Sequence, residues 1–347
     1  MSTDAGDVDP RTTYGGATEL VSRLLTASGV PAEQAGLGAM AIATADAWGV
    51  GSHGLLRLPF YLQRLAAGGL RADADLTPGG VGDTGPVAAY DGGSGLGHPQ
   101  VWQAAISAGQ RCAEHGIAAV SVGNSSHCGS LGIYVLPMLR RGFVGIAVSN
   151  GPAVMAPWGG NEPVLSTSLI AAGVPCRPGP VIIDMATSAV VRGKIASAAA
   201  RADTLPDGWA VDAVGTPTND PRAALAGMLA PLGGAKGFAL ALLVESLSGG
   251  IVGPEPSTGV PDMFDAAAAA RPQRISHLVI ALDPARFDVD GRAPQRLDAL
   301  AQRVIDAGGR LPGGRRTDPE EILADRQLSV ALAVLADLGR WERRLCG

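Results

Sequence analysis

The stretch Ala118-Ala119-Val120-Ser121-Val122, running into Gly123-Asn124-Ser125-Ser126-His127-Cys128-Gly129, decides the fold class. Its short apolar run reads as a buried strand, and the small polar segment after it reads as a loop leaving the strand end. The pattern recurs in Val144-Gly145-Ile146-Ala147-Val148, Val181-Ile182-Ile183 and Leu278-Val279-Ile280-Ala281-Leu282. Glycines, prolines and longer helical segments separate these runs, which gives an α/β pattern. Outside the region from about Val87 to Leu282 the texture is helical. Apolar residues recur at helical spacing in Thr18–Ala27, Pro31–Trp48, Gly54–Leu65, Ala293–Ala307 and Asp318–Arg344. Pro31 suits the first turn of its helix and Glu33 complements that helix's dipole. Residues up to about Asp7 read as a loose tail. The expected division is a helical part from residues 1–80 and 288–347 and an α/β part from residues 81–287. No internal repeat is present.

The 347 residues are 46% hydrophobic and 17% charged, which describes a compact soluble protein of one large or two intertwined domains. A net charge of −5 leaves no footprint for nucleic acid or an anionic membrane. Residues 1–16 are polar and acidic, without the apolar segment of a secretory signal. No apolar run reads as a membrane span: residues 143–161 are uncharged, but their glycines and prolines read as strand plus loop. Cys112, Cys128, Cys176 and Cys346 are scattered without paired spacing, so neither a metal site nor a disulfide framework is expected. These features predict a cytoplasmic protein with free thiols.

Candidate chemistry begins at Ser52-His53-Gly54-Leu55-Leu56-Arg57-Leu58-Pro59. A helix from Gly54 onward would put His53 and Arg57 on one face, about 5–6 Å apart at Cβ. Arg57 could then grip a carboxylate bidentately, with His53 moving a proton at an adjacent atom. Equally, Ser52 could cap a helix and Arg57 form a surface ion pair. His127, on the loop after a strand, is placed for function. His98, His115 and His277 have ordinary readings: before Pro99, at a helix end, and within a strand. Asp184 ends the Val181–Ile183 run, where it could accept a ribose hydroxyl or cap a helix starting near Thr187.

Lys236, in Gly233-Gly234-Ala235-Lys236-Gly237-Phe238, opens a helix expected to be buried through Leu247. A lysine at this pole of the dipole suits a bound anion, or it extends to solvent. Gly80-Val81-Gly82-Asp83-Thr84-Gly85 fits a dinucleotide fingerprint but follows no strand, so it reads as a plain loop.

Together these motifs resemble the type-2 malate/L-lactate dehydrogenase family of NAD(P)-dependent oxidoreductases. The resemblance runs collinearly through Asp46–Pro59, Asn124–Gly129, Pro157–Gly160, Asp184–Ser188, Gly193-Lys194, Leu205–Trp209, Gly233–Phe238 and Leu311–Gly313. It implies a non-Rossmann cofactor domain with a mixed, largely antiparallel sheet, a helical domain built from both termini, and a homodimer. It implies NAD or NADP as cofactor, lined by His127, Cys128, Gly129, Ser130, Leu131, Thr167, Asp184, Met185, Ala186 and Lys236, with Pro312, Gly313 and Arg315 adding to the site. His53 and Arg57 would meet a small carboxylate substrate. The implied reaction is hydride transfer at C2 of a 2-hydroxy or 2-oxo acid, with Arg57 on the carboxylate. The proton falls to His127 in the oxidative direction, with His53, ordered by Ser52, as the rival.

Two departures bear on substrate. Ser166-Thr167-Ser168-Leu169 stands where family members often have Gly-Thr-Asn-Pro, and Gly314 stands where an acidic residue is usual. Lys194 fits the hydroxy-acid branch, because the cyclic-imine-reducing branch carries an Asp there. The alternatives are an imino-acid reductase and a member that binds a dinucleotide without turnover.

Overall fold

Residues 12–79, 84–263 and 265–347 are described by the computed structural model; the tail to Asp7 and residues 80–83 of the glycine loop lie outside them. The chain opens with α1 (Tyr14–Ala27) and α2 (Ala32–Ala47). Thr13 caps α1 by accepting the Gly16 N–H at 3.1 Å. The helix expected from Gly54 begins only at α3 (Leu58–Ala67), after single 3₁₀ turns at Gly51–His53 and Leu55–Arg57. Gly54, at ψ −144°, interrupts the helical path.

There follow β1 (Thr77–Pro78), β2 (Val87–Asp91), α4 (Gly97–His115), β3 (Ile117–Ser125), α5 (Leu136–Leu139), β4 (Val144–Ser149), β5 (Leu169–Val174) and β6 (Val181–Met185). Next come α6 (Arg192–Arg201), β7 (Ala210–Val211), α7 (Pro221–Ala226), β8 (Met228–Leu229) and α8 (Ala235–Glu245). The chain closes with β9 (Ile275–Leu282), α9 (Ala293–Asp306) and α10 (Leu332–Cys346).

Among the described residues, seven strands form one sheet in the order β1-β2-β3-β9-β4-β5-β6. Only the β2–β3 pair is parallel, so the mixed, largely antiparallel sheet is as expected and is not doubly wound. The late strand β9 inserts between β3 and β4, its ISHLVIAL sequence buried on alternate residues toward its end. Ala118, Val120 and Val122 of β3 point to the buried face under α4.

Three apolar cores divide the burial. One lies between the sheet and α4, a second joins α1, α2, α3 and α10, and a third gathers Met155, Leu165, Ile195, Leu205 and Ala241. The third was not anticipated, since its members lie in short pieces with no periodicity of their own.

Two helical expectations are corrected. Of Asp318–Arg344, only the part from Leu332 is α-helix. The segment before it is a strap along the start of α1, with Tyr14 N–H donating to Arg326 O at 2.9 Å and Leu328 N–H to Thr12 O at 2.6 Å. Those backbone groups pair with another segment and so leave the helical ladder. Helix α8 is also not buried throughout: Leu242 and Leu243 are about half exposed, and a π turn at Ser246–Gly250 ends it.

Candidate active site

The 49–57 turn hangs from the end of α2. His53 N–H donates to Val50 O at 2.8 Å and Arg57 N–H to Gly54 O at 2.8 Å. Arg57 reaches back through Nε to Ser52 O at 2.7 Å, and its guanidinium lies over the Phe60 ring at 5.5 Å. Ser52 does not cap a helix; its hydroxyl lies 3.0 Å from His53 Nδ1. The expected single helical face does not exist, because Gly54 breaks it. The 3₁₀ turns still keep His53 and Arg57 close enough for the guanidinium to add to burial in lowering the imidazole's pKa.

His127 arrives from the opposite side. The β3–β9 register shifts between Val122 and Ser125, a bulge that turns the chain off the sheet. Strand β3 thus runs three residues beyond the expected Val122. At the bulge Asn124 takes a left-handed φ of 51°, held by its Nδ2 on Asp91 Oδ1 at 2.9 Å and by the Ser94 hydroxyl on its Oδ1 at 3.1 Å. Beyond it, the His127 N–H donates to Gln273 Oε1 at 3.2 Å. Tyr61, buried on α3, brings its hydroxyl 2.7 Å from His127 Nδ1, and the Gly129 N–H points at the same nitrogen from 3.3 Å. The His53 and His127 rings stack at 5.7 Å between centroids and 16° between planes.

This is a buried, cation-edged cluster of imidazoles, and its electrostatics follow. Burial lowers the His127 pKa well below its ordinary value, with His53, His98 and Arg57 adding to the effect. Burial and then Arg57 lower His53, while Asp184 pulls it back up. Burial pushes His277 down to about 4, against the opposing pull of its Nε2 hydrogen bond to Ser126 O at 3.1 Å. Burial drives His98 down to about 3; its ring meets Tyr61 edge-on at 4.8 Å, and neither of its nitrogens has a partner among the described residues. Burial pushes the thiol of Cys128 and the hydroxyls of Tyr61 and Tyr134 upward. These rings are therefore neutral near pH 7, and Arg57 supplies the cationic edge.

A second polar group adjoins the first. Asp184, the fourth residue of β6, accepts the Ser130 hydroxyl at 2.6 Å and lies 3.8 Å from Arg316. It caps no helix, since the next one begins at Arg192. Arg316 rests over the Trp48 ring at 5.1 Å, and its Nη1 is buried without a hydrogen-bond partner. Gly132 permits the approach: a Cβ there would lie 2.9 Å from both Asp184 Cβ and Arg316 Nη1. Cys128, Gly129 and Leu131 are buried around this loop, and Met185 and Ala186 are half-buried beside Asp184. Thr167 O accepts the Thr187 N–H at 2.9 Å, tying the 166–169 segment to the end of β6. Within it, Ser168 holds a left-handed φ of 43°, a conformation that the Asn of the family pattern adopts more readily. Pro312 O accepts the Ile182 N–H at 3.0 Å, and Gly313 packs against Ile182. Arg315 is exposed on this loop; the arginine that reaches Asp184 is its neighbour Arg316.

Lys236 stands exposed in the first turn of α8, after Gly233 and Gly234 at φ +62° and +68°. A groove of about 1140 Å³ runs beside those glycines, lined by Trp158, Gly160, Trp209, Val211 and Leu232. The stretches Pro157–Gly160, Leu205–Trp209 and Gly233–Phe238, distant in sequence, thus meet. Lys194 is exposed in the first turn of α6. Among the described residues no group of His, Cys, Asp or Glu could hold a metal ion, and the four cysteines are free.

Sequence reasoning missed four members of the site. Tyr61 is masked by its apolar neighbours, although a hydroxyl within a helix's buried face was a usable signal. His98 hides behind Pro99. Gln273 gives no local signal. Arg316 is indistinguishable in sequence from Arg315.

A family model described as malate/L-lactate dehydrogenase matches residues 13–336. The chain is 40% identical over 302 residues to the (2R)-3-sulfolactate dehydrogenase (NADP(+)) of Chromohalobacter salexigens, covering 86% of this chain and 89% of that protein. It is 31% identical over 325 residues to the Δ(1)-pyrroline-2-carboxylate reductase of Agrobacterium fabrum, covering 92% and 93%. The sulfolactate dehydrogenase structure from Methanocaldococcus jannaschii superimposes with a TM-score of 0.87 over 97% of each chain, at 29% identity.

Proposed function

The chain belongs to the malate/L-lactate dehydrogenase family, and on that premise we propose that it moves a hydride between NAD(P)(H) and C2 of a small 2-hydroxy or 2-oxo acid. The observation that carries the reading is the meeting of Arg57 with two stacked, neutral imidazoles brought in by separate segments. Arg57 gives the substrate carboxylate a cationic partner at the edge of this buried imidazole cluster. Neutralising that charge with a carboxylate removes one cause of the low imidazole pKa values, so substrate binding itself prepares a ring to carry a proton.

Residues suited to the dinucleotide adjoin this cluster. Ser130, Asp184 and Arg316 offer a carboxylate and a guanidinium with an unfilled donor, in a cradle that a Cβ at Gly132 would fill. Lys236 and the N-terminus of α8 suit a phosphate. The bound nicotinamide supplies the hydride, and the protein supplies orientation and the proton.

His127 handles that proton in one of two tautomers. With the Gly129 N–H donating to Nδ1, the neutral ring carries its proton on Nε2 and has no lone pair there to take a hydroxyl proton; donating a proton during reduction needs the imidazolium, protonated on both nitrogens. Accepting a hydroxyl proton at Nε2 during oxidation requires the other tautomer, in which Nδ1–H donates to Tyr61 Oη and the 3.3 Å Gly129 contact is given up; the imidazolium so formed is the acid that returns the proton in reduction. His53, with the Ser52 hydroxyl at its Nδ1, is the second candidate.

The same reading includes a homodimer, supported by the exposed apolar side chains Leu242, Leu243 and Ile251 at and just beyond α8. It also includes a reducing, cytoplasmic setting, which suits free thiols, and the division into a helical part and an α/β cofactor part. A second reading, reduction of a cyclic imino acid, is favoured by the similarity to the Δ(1)-pyrroline-2-carboxylate reductase. One experiment separates the two: loss of NADH or NADPH absorbance with pyruvate, oxaloacetate, 3-sulfopyruvate and cyclic imino acids. Turnover of an oxo acid is expected. Turnover of the imines alone would transfer the reading to the second class, and silence with tight cofactor binding would refute both.

A further inference from the structure

We propose that Asp46 is the positioning residue of the substrate site: its carboxylate is the hub around which the turn bearing His53 and Arg57 is wound. The inference rests on the dehydrogenase reading above. Asp46 lies in the last turn of α2, and its Oδ2 accepts the Leu55 N–H at 2.7 Å. Gly51 and Gly54 both lie against this carboxyl. A Cβ at Gly51 would come within 3.2 Å of Oδ1, and one at Gly54 would collide with the carboxyl group. The same residue's carbonyl accepts the Gly49 N–H at 2.9 Å, so Asp46 fixes the turn at its start and at its middle. His53 precedes Gly54 directly, and Arg57 is bonded to the Gly54 carbonyl at 2.8 Å. Both functional side chains are thus one step from a backbone group that Asp46 touches.

Neither an ion pair nor the helix dipole accounts for the placement. A carboxylate near a helix C-terminus faces the wrong pole of the dipole. No lysine or arginine pairs with Asp46 among the described residues. Burial raises its pKa to about 6, with the Leu55 N–H as the opposing influence. The fold keeps an unpaired, half-desolvated acid at the one place where it shapes the backbone beneath the histidine and the arginine.

The test compares Asp46→Ala, Asp46→Asn and Gly54→Ala with the parent protein. With the 2-oxo acid, Asp46→Ala is expected to lower kcat/KM by about 100-fold, the scale of a misplacement on the order of 1 Å. The cofactor Kd should stay unchanged. Asp46→Asn, whose carboxamide oxygen still accepts the Leu55 N–H, should restore most of that loss. Gly54→Ala pushes the turn from the other side and should reproduce the Asp46→Ala pattern, which keeps the test alive if Asp46→Ala fails to fold.

A second readout needs no turnover. His53 is faced by Arg57, Asp184, Ser52 and His127. If the turn shifts in Asp46→Ala, Arg57 moves off and the His53 titration, followed by NMR of labelled histidine, rises toward its ordinary value. Should the parent protein reduce no oxo acid or imine, the function falls and this titration still decides the role of Asp46. An unmoved His53 titration, equal damage in Asp46→Asn, or parallel loss of cofactor and substrate binding would overturn the proposal.

Discussion

Replacing Tyr61 by Phe removes one oxygen atom from a buried site and isolates what that oxygen does. The hydroxyl lies 2.7 Å from His127 Nδ1, and the remaining neighbour of that nitrogen is the Gly129 N–H at 3.3 Å. Phe fills the same volume, so the Tyr61–His98 edge contact and the packing of α3 are retained. The loss is therefore that of one buried hydrogen bond, about 1–3 kcal/mol when a partner is left unsatisfied. If the bond orients His127 for proton transfer, that energy appears in the barrier, lowering kcat by about 5- to 150-fold at 1.4 kcal/mol per decade. The assay is steady-state oxidation of the reduced cofactor by the 2-oxo acid, with KM, cofactor Kd and Tm measured in parallel. The account expects kcat to fall with KM and cofactor Kd unchanged. A variant with parental kcat, or one whose only change is a lower Tm, would refute the orienting role and leave Tyr61 a core residue.

Other perturbations probe the rest of the site. Lys236→Ala should weaken cofactor binding about tenfold or more, as expected for a lost charge-assisted bond; an unchanged Kd by cofactor fluorescence would remove the anion-binding role. Gly132→Ala forces a methyl to within 2.9 Å of Asp184 and Arg316, so it should raise the cofactor Kd more than the substrate KM, and equal binding in titration calorimetry would contradict the cradle. Acid should destabilise the fold. His277 and His98 protonate at about 4 and about 3 in the folded state against an ordinary 6.5, so the unfolded chain binds protons that the folded chain refuses. Stability is therefore lost as pH falls from 6.5 toward 4. Asp46, raised to about 6 from 3.8, has the opposite sign and offsets part of that slope. His98→Leu should flatten the fall of Tm below pH 6.5, and an unchanged slope would rule out the buried ring as its source.

Much of this architecture was legible because it follows from local pattern. The strands at Ala118–Val122, Val144–Val148, Val181–Ile183 and Leu278–Leu282 are short apolar runs with glycine punctuation, and all four appear in the sheet. His53, Arg57 and His127 were singled out by residue chemistry and placement, and the fold brings them together. What escaped depends on tertiary contact. Gly54 was read as an ordinary helix start, because nothing local says that the carboxylate of Asp46 fills the space beside it. Residues 318–331 have helical spacing, but Ala324, Arg326 and Leu328 give backbone groups to the start of α1 instead. Asp184 looked like a cap, but its partners, Ser130 and Arg316, lie far from it in sequence. Gln273 and His98 have roles set wholly by neighbours that local periodicity cannot supply.

The most direct measurement of the central claim is the kinetic split in Arg57→Ala, read with cofactor binding measured separately by fluorescence. The account predicts a large rise in KM for the 2-oxo acid, on the scale of a lost bidentate charge pair, with the cofactor Kd left intact. A parental KM would contradict it, as would a defect confined to cofactor binding, because the carboxylate would then be held elsewhere.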